Sequence, residues 1–381
     1  MITELLPLSL YIHIPWCQRK CPYCDFNSHT AKGALPEDYY VQALLGEIDQ
    51  SLAYIEDRPL ISIFFGGGTP SLFSPRAIQR ILAGVHTRIK FVDDIEITLE
   101  ANPGTIDQQY FKDFKLAGIN RLSLGIQSLQ NDKLKALGRI HDKDQAMHAI
   151  NIAKAAGFTN FNLDLMYGLP NQTLKDALSD LKTALSFEPA HFSWYQLTLE
   201  PNTLFYHQPP PLPSDELAWE MQLAGQDYLK QAGFNQYEVS AYALRDQSCR
   251  HNLNYWEFGD YLGIGAGAHS KLSDKKKREV VRFSQVKHPK DYLDVSKRKR
   301  EHFITLSESD LIFEFMLNAL RLTEGFPASL FVDRTGLPLE QIEPLLSQAK
   351  AKGFLENDPK KILTTPLGKQ YLNDFIQLFL K

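Results

Sequence analysis

The sequence predicts an α/β protein: an incomplete (β/α)6 barrel followed by a smaller, mostly helical domain that resembles a winged helix. Six short apolar segments alternate with amphipathic helical patterns, and several segments are almost continuously apolar, as in strands covered on both faces. Six strand–helix units are too few to close an eight-stranded barrel. Because ligands of such folds bind at the carboxyl ends of the strands, we expect functional side chains just after them.

The predicted strands are LSLYIHI, ISIFFGG, IEITLEA, RLSLGIQ, FNLDLMYG and HFSWYQLTLE. Apolar residues at helical spacing predict helices over 36–55, 144–157 and 173–185. Pro36 suits the first turn of the first helix, and Gly157 suits the end of the second. A proline-rich connector at 208–216 leads to a further helix that ends near Ala232.

The predicted domain boundaries give a barrel over 1–235, a connecting segment over 236–305 and a C-terminal domain over 306–381. The C-terminal domain is predicted from three helical patterns, a hairpin at FLENDPKKILTT and one last helix at PLGKQYLNDFIQLFL. Two basic runs, KKKREVVR and SKRKREH, are interpreted as solvated loops.

Composition narrows the class of protein. The formal net charge of the 381 residues is −4, which argues against a general nucleic-acid binder. No apolar run is long enough to span a bilayer, and the N-terminus has no signal-peptide pattern, so a cytoplasmic protein is predicted. In a reducing compartment, clustered cysteines indicate metal ligands or redox groups. The isolated Cys249 is interpreted as a small buried apolar residue.

Three of the four cysteines form a C-x3-C-x2-C cluster: Cys17, Cys21 and Cys24. Pro22 lies inside the cluster and disfavours a helix with buried thiols, so a loop after the first strand is predicted. Such a loop fits a zinc site completed by His13 or His29. It also fits a [4Fe–4S] cluster that has one iron without a protein ligand.

The cysteine spacing, with aromatic Tyr23 directly before the last cysteine, resembles the signature of radical S-adenosylmethionine (SAM) proteins. The resemblance implies a [4Fe–4S] cluster whose open iron is chelated by the amino and carboxylate groups of SAM. In that superfamily an electron from the cluster cleaves the sulfonium and gives a 5′-deoxyadenosyl radical.

Further segments at predicted strand ends extend the resemblance: GGGTP, LEANP, GIQS, LGRIH and LDLMYGLP. Together they resemble the oxygen-independent coproporphyrinogen III oxidase family over nearly the whole chain. Each segment alone has an ordinary interpretation, such as a helix cap or a surface pair. The resemblance assigns no catalytic residue here, but it implies SAM contacts by Tyr11, Tyr23, Gly67, Gly68, Thr69, Glu100, Gln127, Arg139 and Asp164.

Two departures separate this chain from the oxidases of that family. The oxidases carry a further cysteine where this chain has Phe26, and they have a longer N-terminal extension than the sixteen residues before Cys17. The segment HNLNYW instead resembles the HNxxYW motif of the heme chaperones related to the oxidases. That resemblance implies heme contacts by His251, Asn252, Tyr255 and Trp256, although a hydrogen-bonded core cluster explains the motif equally well.

Three hypotheses follow from these resemblances. The favoured one is a heme chaperone that carries a cluster and SAM and delivers heme to acceptor proteins of the respiratory chain. The second is SAM-dependent oxidative decarboxylation of coproporphyrinogen III. The third is a radical SAM methyltransferase that opens the heme ring. No feature of the sequence selects this third hypothesis. The family resemblance is compatible with a homodimer and with peripheral membrane contact.

Overall fold

A computed structural model describes residues 5–105 and 108–380. Its strands are, in chain order, β1 (Leu8–Ile14), β2 (Trp16–Cys17), β3 (His29–Thr30), β4 (Leu60–Gly67), β5 (Phe91–Ala101), β6 (Arg121–Gln127), β7 (Phe161–Tyr167), β8 (His191–Gln196), β9 (Asn235–Glu238), β10 (Ala241–Ala243), β11 (Asp260–Ile264), β12 (His269–Asp274), β13 (Glu279–Gln285), β14 (Arg300–Thr305), β15 (Phe326–Pro327) and β16 (Lys361–Ile362).

The helices are α1 (Glu37–Ile55), α2 (Pro75–His86), α3 (Gln108–Ala117), α4 (Asn131–Ala136), α5 (Lys143–Ala155), α6 (Leu174–Leu185), α7 (Leu204–His207), α8 (Asp215–Gln231), α9 (Arg250–Trp256), α10 (Pro289–Leu293), α11 (Glu308–Ala319), α12 (Ala328–Thr335), α13 (Glu343–Ala351), α14 (Pro366–Gln370) and α15 (Leu372–Gln377). Short 3-10 helices lie at Pro70–Leu72, Pro103–Thr105 and Leu339–Gln341. No helix of the described residues is both long enough and apolar enough to cross a membrane.

The six predicted strands form the parallel centre of the main sheet, in the order β1-β4-β5-β6-β7-β8. Helices α1 to α6 connect them, so the prediction of an incomplete (β/α)6 barrel is confirmed. The connecting helices have clear start signals. Thr173 and Asp142 each form a capping box at the start of α6 and α5, and Gly157 takes φ +87° just after α5.

Six strands that the sequence did not predict widen this sheet. Strand β11 pairs in parallel with β1, and β12, β13 and β14 continue from it in antiparallel order. At the opposite edge, β10 and β9 add antiparallel to β8. The interpretation of both basic runs as loops is wrong in part. The first run continues into β13 and the second into β14, and only their early residues lie in turns.

The C-terminal domain packs α11, α12, α13 and α15 around a second apolar core, which Phe258 and Val280 join, with β15 and β16 as a two-stranded sheet. The prediction of helices with a small wing is confirmed. The predicted hairpin forms a single bridge between Leu355 and Thr364, while β16 pairs with β15. The prediction of one last helix is wrong, because Tyr371, with ψ +40°, leaves the helical conformation between α14 and α15.

Helix α9 links the two sides of the parallel centre of the sheet, since β10, which pairs with β8, precedes it and β11, which pairs with β1, follows it. It contacts β1, β4 and β11, and it also contacts α11 of the C-terminal domain. The helix therefore lies against the barrel wall and joins the barrel to the C-terminal domain.

Candidate functional site

The three clustered cysteines surround one cavity of about 440 Å³ at the carboxyl ends of the barrel strands. Cys17 ends β2, whereas Cys21 and Cys24 lie in the loop that follows. Among residues 5–105 and 108–380, no three His, Cys, Asp or Glu side chains converge closely enough to bind a single ion. Thiols spaced around a cavity fit a multi-iron cluster better than a tetrahedral zinc site.

Polar groups around the thiols suit a cluster with thiolate ligands. Arg139 Nη1 donates to Cys21 Sγ at 3.6 Å, and Ser28 Oγ lies 3.9 Å from Cys24 Sγ. Burial raises the pKa of the thiols of Cys17 and Cys24, and the Ser28 hydroxyl opposes this effect. Donors beside the sulfur atoms stabilise the negative charge of bound thiolates. These residues therefore fit a [4Fe–4S] cluster.

The glycine run after β4 packs tightly against the first strand. Gly68 N donates to Ile14 O at 2.8 Å, and a Cβ on Gly68 would lie 2.5 Å from Trp16 O. Gly67 has φ +115°, and a Cβ there would lie 2.5 Å from the His13 ring. The sequence predicts that the glycine run lets a ligand approach the backbone. Because its glycines have no side chains, the turn also packs directly against β1 and the cysteine loop.

Two half-buried carboxylates, Glu100 on β5 and Asp164 on β7, face the same cavity from either side of β6. Glu100 Oε2 accepts from Gly67 N at 3.2 Å, and Asp164 Oδ2 accepts from Ser123 Oγ at 3.1 Å. Burial, and then the charge of Asp164, raise the pKa of Glu100 to about 8, and burial raises the pKa of Asp164. Such a pair attracts a cation or the hydroxyl groups of a sugar. Both lie within strands β5 and β7, not after them as expected.

Gln127 and Arg139 complete the wall of this cavity. Gln127 has φ +69° at a register shift between β6 and β7, and its Oε1 accepts from Tyr195 OH at 2.8 Å. A non-glycine residue in this conformation is costly and is common at ligand sites. Arg139 donates to Gly125 O at 2.7 Å and also to Asn102. Asn102 in turn donates to Thr69 Oγ1 at 3.0 Å; it lies in the LEANP segment, but sequence reasoning did not select it.

Eight of the nine residues expected to contact SAM line the cavity with the cysteines: Tyr23, Gly67, Gly68, Thr69, Glu100, Gln127, Arg139 and Asp164. The ninth, Tyr11, lines an adjoining cavity, where its hydroxyl lies 3.1 Å from His13 Nδ1. His13 Nε2 lies 2.9 Å from the carbonyl oxygen of Asn27. Because that acceptor requires a donor, Nε2 carries the proton, and Nδ1 accepts from the Tyr11 hydroxyl.

The adjoining cavity has a volume of about 900 Å³, within the range of about 300–1,000 Å³ typical of sites for organic ligands. Eight residues line both cavities, among them Phe26, Glu100 and Asp164. Aromatic side chains contribute much of the wall: Tyr11, Phe26, Phe64, Tyr255, Trp256 and Tyr261. A large, partly aromatic space thus lies directly beside the cysteine cavity.

His251 lies in α9 at this wall and is almost fully buried. Its Nδ1 lies 2.9 Å from Ser62 Oγ, and its Nε2 lies 3.0 Å from Tyr255 OH. Its ring stacks on Phe64, with the ring centroids 5.0 Å apart. Burial lowers the pKa of His251 to about 3, so the imidazole is neutral, and both of its nitrogens have partners inside the protein.

The other predicted heme-contact residues, Asn252, Tyr255 and Trp256, line the same cavity. Trp256 Nε1 is buried without a hydrogen-bond partner, and Arg321 lies over its ring at 4.4 Å. Cys249, which directly precedes α9, is buried as expected, but its thiol also has a polar neighbour. Its thiol lies 3.4 Å from Glu96 Oε1, and burial raises its pKa to about 12.

Comparison with known proteins identifies the family of the chain. Residues 11–184 match the model of the radical SAM superfamily, and residues 306–371 match that of the HemN C-terminal domain. Among solved structures, the coproporphyrinogen III oxidase HemN of Escherichia coli, a radical SAM enzyme, superposes with a TM-score of 0.81 at 25% identity. The match covers 98% of this chain and 90% of HemN.

Curated relatives match over the full length. The heme chaperone HemW of Escherichia coli is 48% identical over 379 residues, covering 100% of both chains. The Haemophilus influenzae heme chaperone HemW is 49% identical over 100% of this chain and 99% of its own, and that of Bacillus subtilis is 35% identical over 98% and 99%. The chain therefore belongs to the heme chaperone HemW family of the radical SAM superfamily.

Proposed function

We propose that the protein binds heme in the larger cavity, beside a [4Fe–4S] cluster and SAM, and passes the heme to heme-dependent acceptor proteins. The observation that carries the proposal is a cavity of about 900 Å³ that is lined by six aromatic rings and by all four HNxxYW residues selected from the sequence. A planar macrocycle buries well between aromatic faces. The names of the full-length relatives support the same function.

Cys17, Cys21 and Cys24 would hold the cluster, and its fourth iron would be left open to the amino and carboxylate groups of SAM. Arg139 is placed to pair with the carboxylate of SAM, and a fork of two donors suits that planar group. Glu100 and Asp164 are placed to accept hydrogen bonds from the ribose or the ammonium group. Gly67, Gly68, Thr69, Gln127 and Tyr23 close the walls around this ligand.

On the heme side, Trp256 and Tyr255 offer aromatic surface. His251 and Asn252 stand beside them in the same helix. Coordination of heme iron by His251 Nε2 requires that the Tyr255 hydroxyl give up its hydrogen bond. Because α9 also contacts the C-terminal domain, heme contact at α9 can be transmitted to that domain.

The proposal is tested by hemin titration of the iron–sulfur-reconstituted protein under anaerobic conditions. We expect one hemin per chain, about tenfold weaker binding by Trp256→Ala, and unchanged binding by the matched control Trp219→Ala, because Trp219 does not line the cavity. The same sample receives SAM, a low-potential reductant and coproporphyrinogen III. Stoichiometric formation of protoporphyrinogen would contradict the chaperone function and support the oxidase.

A further inference from the structure

The mouth of the larger cavity carries basic side chains that the SAM and heme assignments leave unused. The exposed residues that line it are Lys20, Asp25, Phe26, His269 and Lys287. Two ammonium groups stand against one carboxylate, so the mouth is positively charged around an exposed aromatic ring. Phe26 is 58% exposed, which leaves its face available to an apolar ligand.

His269 differs from the other histidines of this cavity. The other four use ring nitrogens in hydrogen bonds: His13 with Tyr11 and Asn27, His29 with Asn27, His191 with Asn162 and Tyr237, and His251 with Ser62 and Tyr255. Within the described part of the chain, no hydrogen bond reaches either ring nitrogen of His269. Its imidazole is therefore free to bond a ligand at the mouth.

The two lysines also have no strong partner. Lys20 Nζ donates to the backbone oxygen of Phe26 at 3.0 Å, and it makes no ion pair with a described carboxylate. For Lys287 Nζ, neither a hydrogen bond nor an ion pair is found among the described residues. An ammonium group that lacks a carboxylate partner in the protein can take one from a ligand.

One asparagine fixes the segments that carry these groups. Asn27 Nδ2 donates to Ala266 O at 2.9 Å and to Lys287 O at 2.8 Å. It thereby ties the cysteine loop to the β11–β12 turn and to the end of β13. A Cβ on Gly267 would lie 2.3 Å from Asn27 Nδ2, so the turn packs directly on this amide. The mouth is therefore held in place before a ligand arrives, which lowers the entropic cost of binding.

We propose that Lys20, His269 and Lys287 form a carboxylate-binding subsite at the cavity mouth, which holds the propionate groups of the heme. This inference rests on the proposed function and adds the orientation of the ligand: propionates outward at the mouth, ring against Phe26, and the opposite edge toward α9. Heme propionates are carboxylates, and ammonium and imidazole N–H groups are suitable donors to them. The neighbouring Asp25 carboxylate weakens the subsite but leaves its net charge positive.

The test compares hemin with hemin dimethyl ester, which keeps the ring and the iron but lacks both carboxylates. Equilibrium binding is measured for the wild-type holoprotein, for the double variant Lys20→Ala/Lys287→Ala, and for Lys290→Ala, an exposed control outside the cavity. We expect the wild type to bind hemin about 10- to 100-fold more tightly than the ester. The double variant should lose that preference and keep its affinity for the ester within about threefold. Lys290→Ala should retain the preference.

Equal wild-type affinity for hemin and its ester would overturn the subsite while leaving heme binding intact. Failure to bind either compound would overturn the proposed function, and the subsite with it. His269→Ala is expected to weaken hemin binding with no change in the absorption spectrum of the bound heme. A changed spectrum would instead place His269 on the iron and overturn its assignment to the propionates.

Discussion

The two adjoining cavities differ in whether their polar side chains have hydrogen-bond partners within the protein. Around the cysteines, the polar groups already bond one another: Arg139 to Cys21 and Gly125, and Glu100 to Gly67. Around the larger cavity, the exposed ring of His269 and the ammonium group of Lys287 have no hydrogen-bond partner among the described residues. A site for small, highly charged cofactors is thus preorganised by internal bonds. The larger site keeps donors free for a ligand that must also leave.

Removal of a cluster cysteine tests whether the two cavities bind their ligands independently. We expect Cys21→Ala to lower bound iron at least about tenfold, because loss of a direct ligand costs more than the 10- to 100-fold typical of supporting groups. Hemin affinity should change by less than about threefold, since Cys21 does not line the larger cavity.

Iron and sulfide analysis, with hemin titration on the same samples, measures both effects. Cys249→Ala is the matched control for the iron analysis alone, because this cysteine lies outside the cluster cavity but lines the larger one; its iron content should stay unchanged. A parallel collapse of hemin binding in Cys21→Ala would show that the cavities are not independent.

The second prediction concerns Arg139. Arg139→Ala should weaken SAM binding about 10- to 100-fold, as expected for loss of charge-assisted hydrogen bonds worth about 1.5–3 kcal/mol. Arg139→Lys should recover part of the affinity, because it keeps the charge but not the two-donor fork. Equilibrium binding of SAM is measured alongside iron content. Arg245→Ala, at an exposed site, serves as control. SAM affinity unchanged in Arg139→Ala would rule out its assignment to the carboxylate.

The third prediction is a pH dependence of SAM binding. Burial and the charge of Asp164 raise the pKa of Glu100 to about 8, so the carboxyl group is mostly protonated at pH 7. The sulfonium and ammonium groups of SAM favour the ionised form, so binding releases a proton below that pKa. Affinity should therefore rise as pH increases toward 8, by at most about tenfold per pH unit, and then level off.

Calorimetry in buffers of different ionisation enthalpy measures both the affinity and the released proton. Glu100→Gln should bind more weakly and show a flatter profile. A profile of unchanged slope in Glu100→Gln would assign the proton to another group, of which Asp164 is the nearest.

The smallest expected effect is that of Phe26→Cys, which introduces the cysteine that the related oxidases carry. Phe26 is 58% exposed, so the free energy of unfolding should change by no more than about 0.5 kcal/mol. Bound iron should stay the same, and no protoporphyrinogen should form from coproporphyrinogen III, because one thiol does not rebuild the oxidase site. Denaturant unfolding and product analysis are the measurements. Gain of decarboxylation would make position 26 the switch between the two functions.

Much of the barrel and of the cysteine cavity was predictable from the sequence. Central strands such as Leu8–Ile14 are continuously apolar because both faces are covered, and that pattern is strong. Strand Arg300–Thr305 is mostly exposed, and its charged and apolar residues follow no strand pattern. The sequence therefore predicted a loop there. The motifs also predicted eight residues that line the cysteine cavity, although Glu100 and Asp164 lie within strands and Arg139 follows helix α4.

The larger cavity was harder to predict. The sequence drew attention to His251 through HNLNYW, but only the fold shows that both of its ring nitrogens are taken. The β12–β13 pairing brings His269 and Lys287 together, and the contacts of Asn27 join their segments to the distant loop that carries Lys20. A local sequence pattern cannot show that a side chain lacks a hydrogen-bond or ion-pair partner, because this depends on every element packed around it.

The central claim is that one chain holds a cluster, SAM and intact heme side by side. The most direct measurement is native mass spectrometry of the anaerobically reconstituted protein, incubated with SAM and hemin and then mixed with an apo-form heme acceptor. The account predicts a species with one cluster, one SAM and one heme, from which unmodified heme moves to the acceptor. Mutually exclusive binding of SAM and heme, or chemical alteration of the heme, would contradict it.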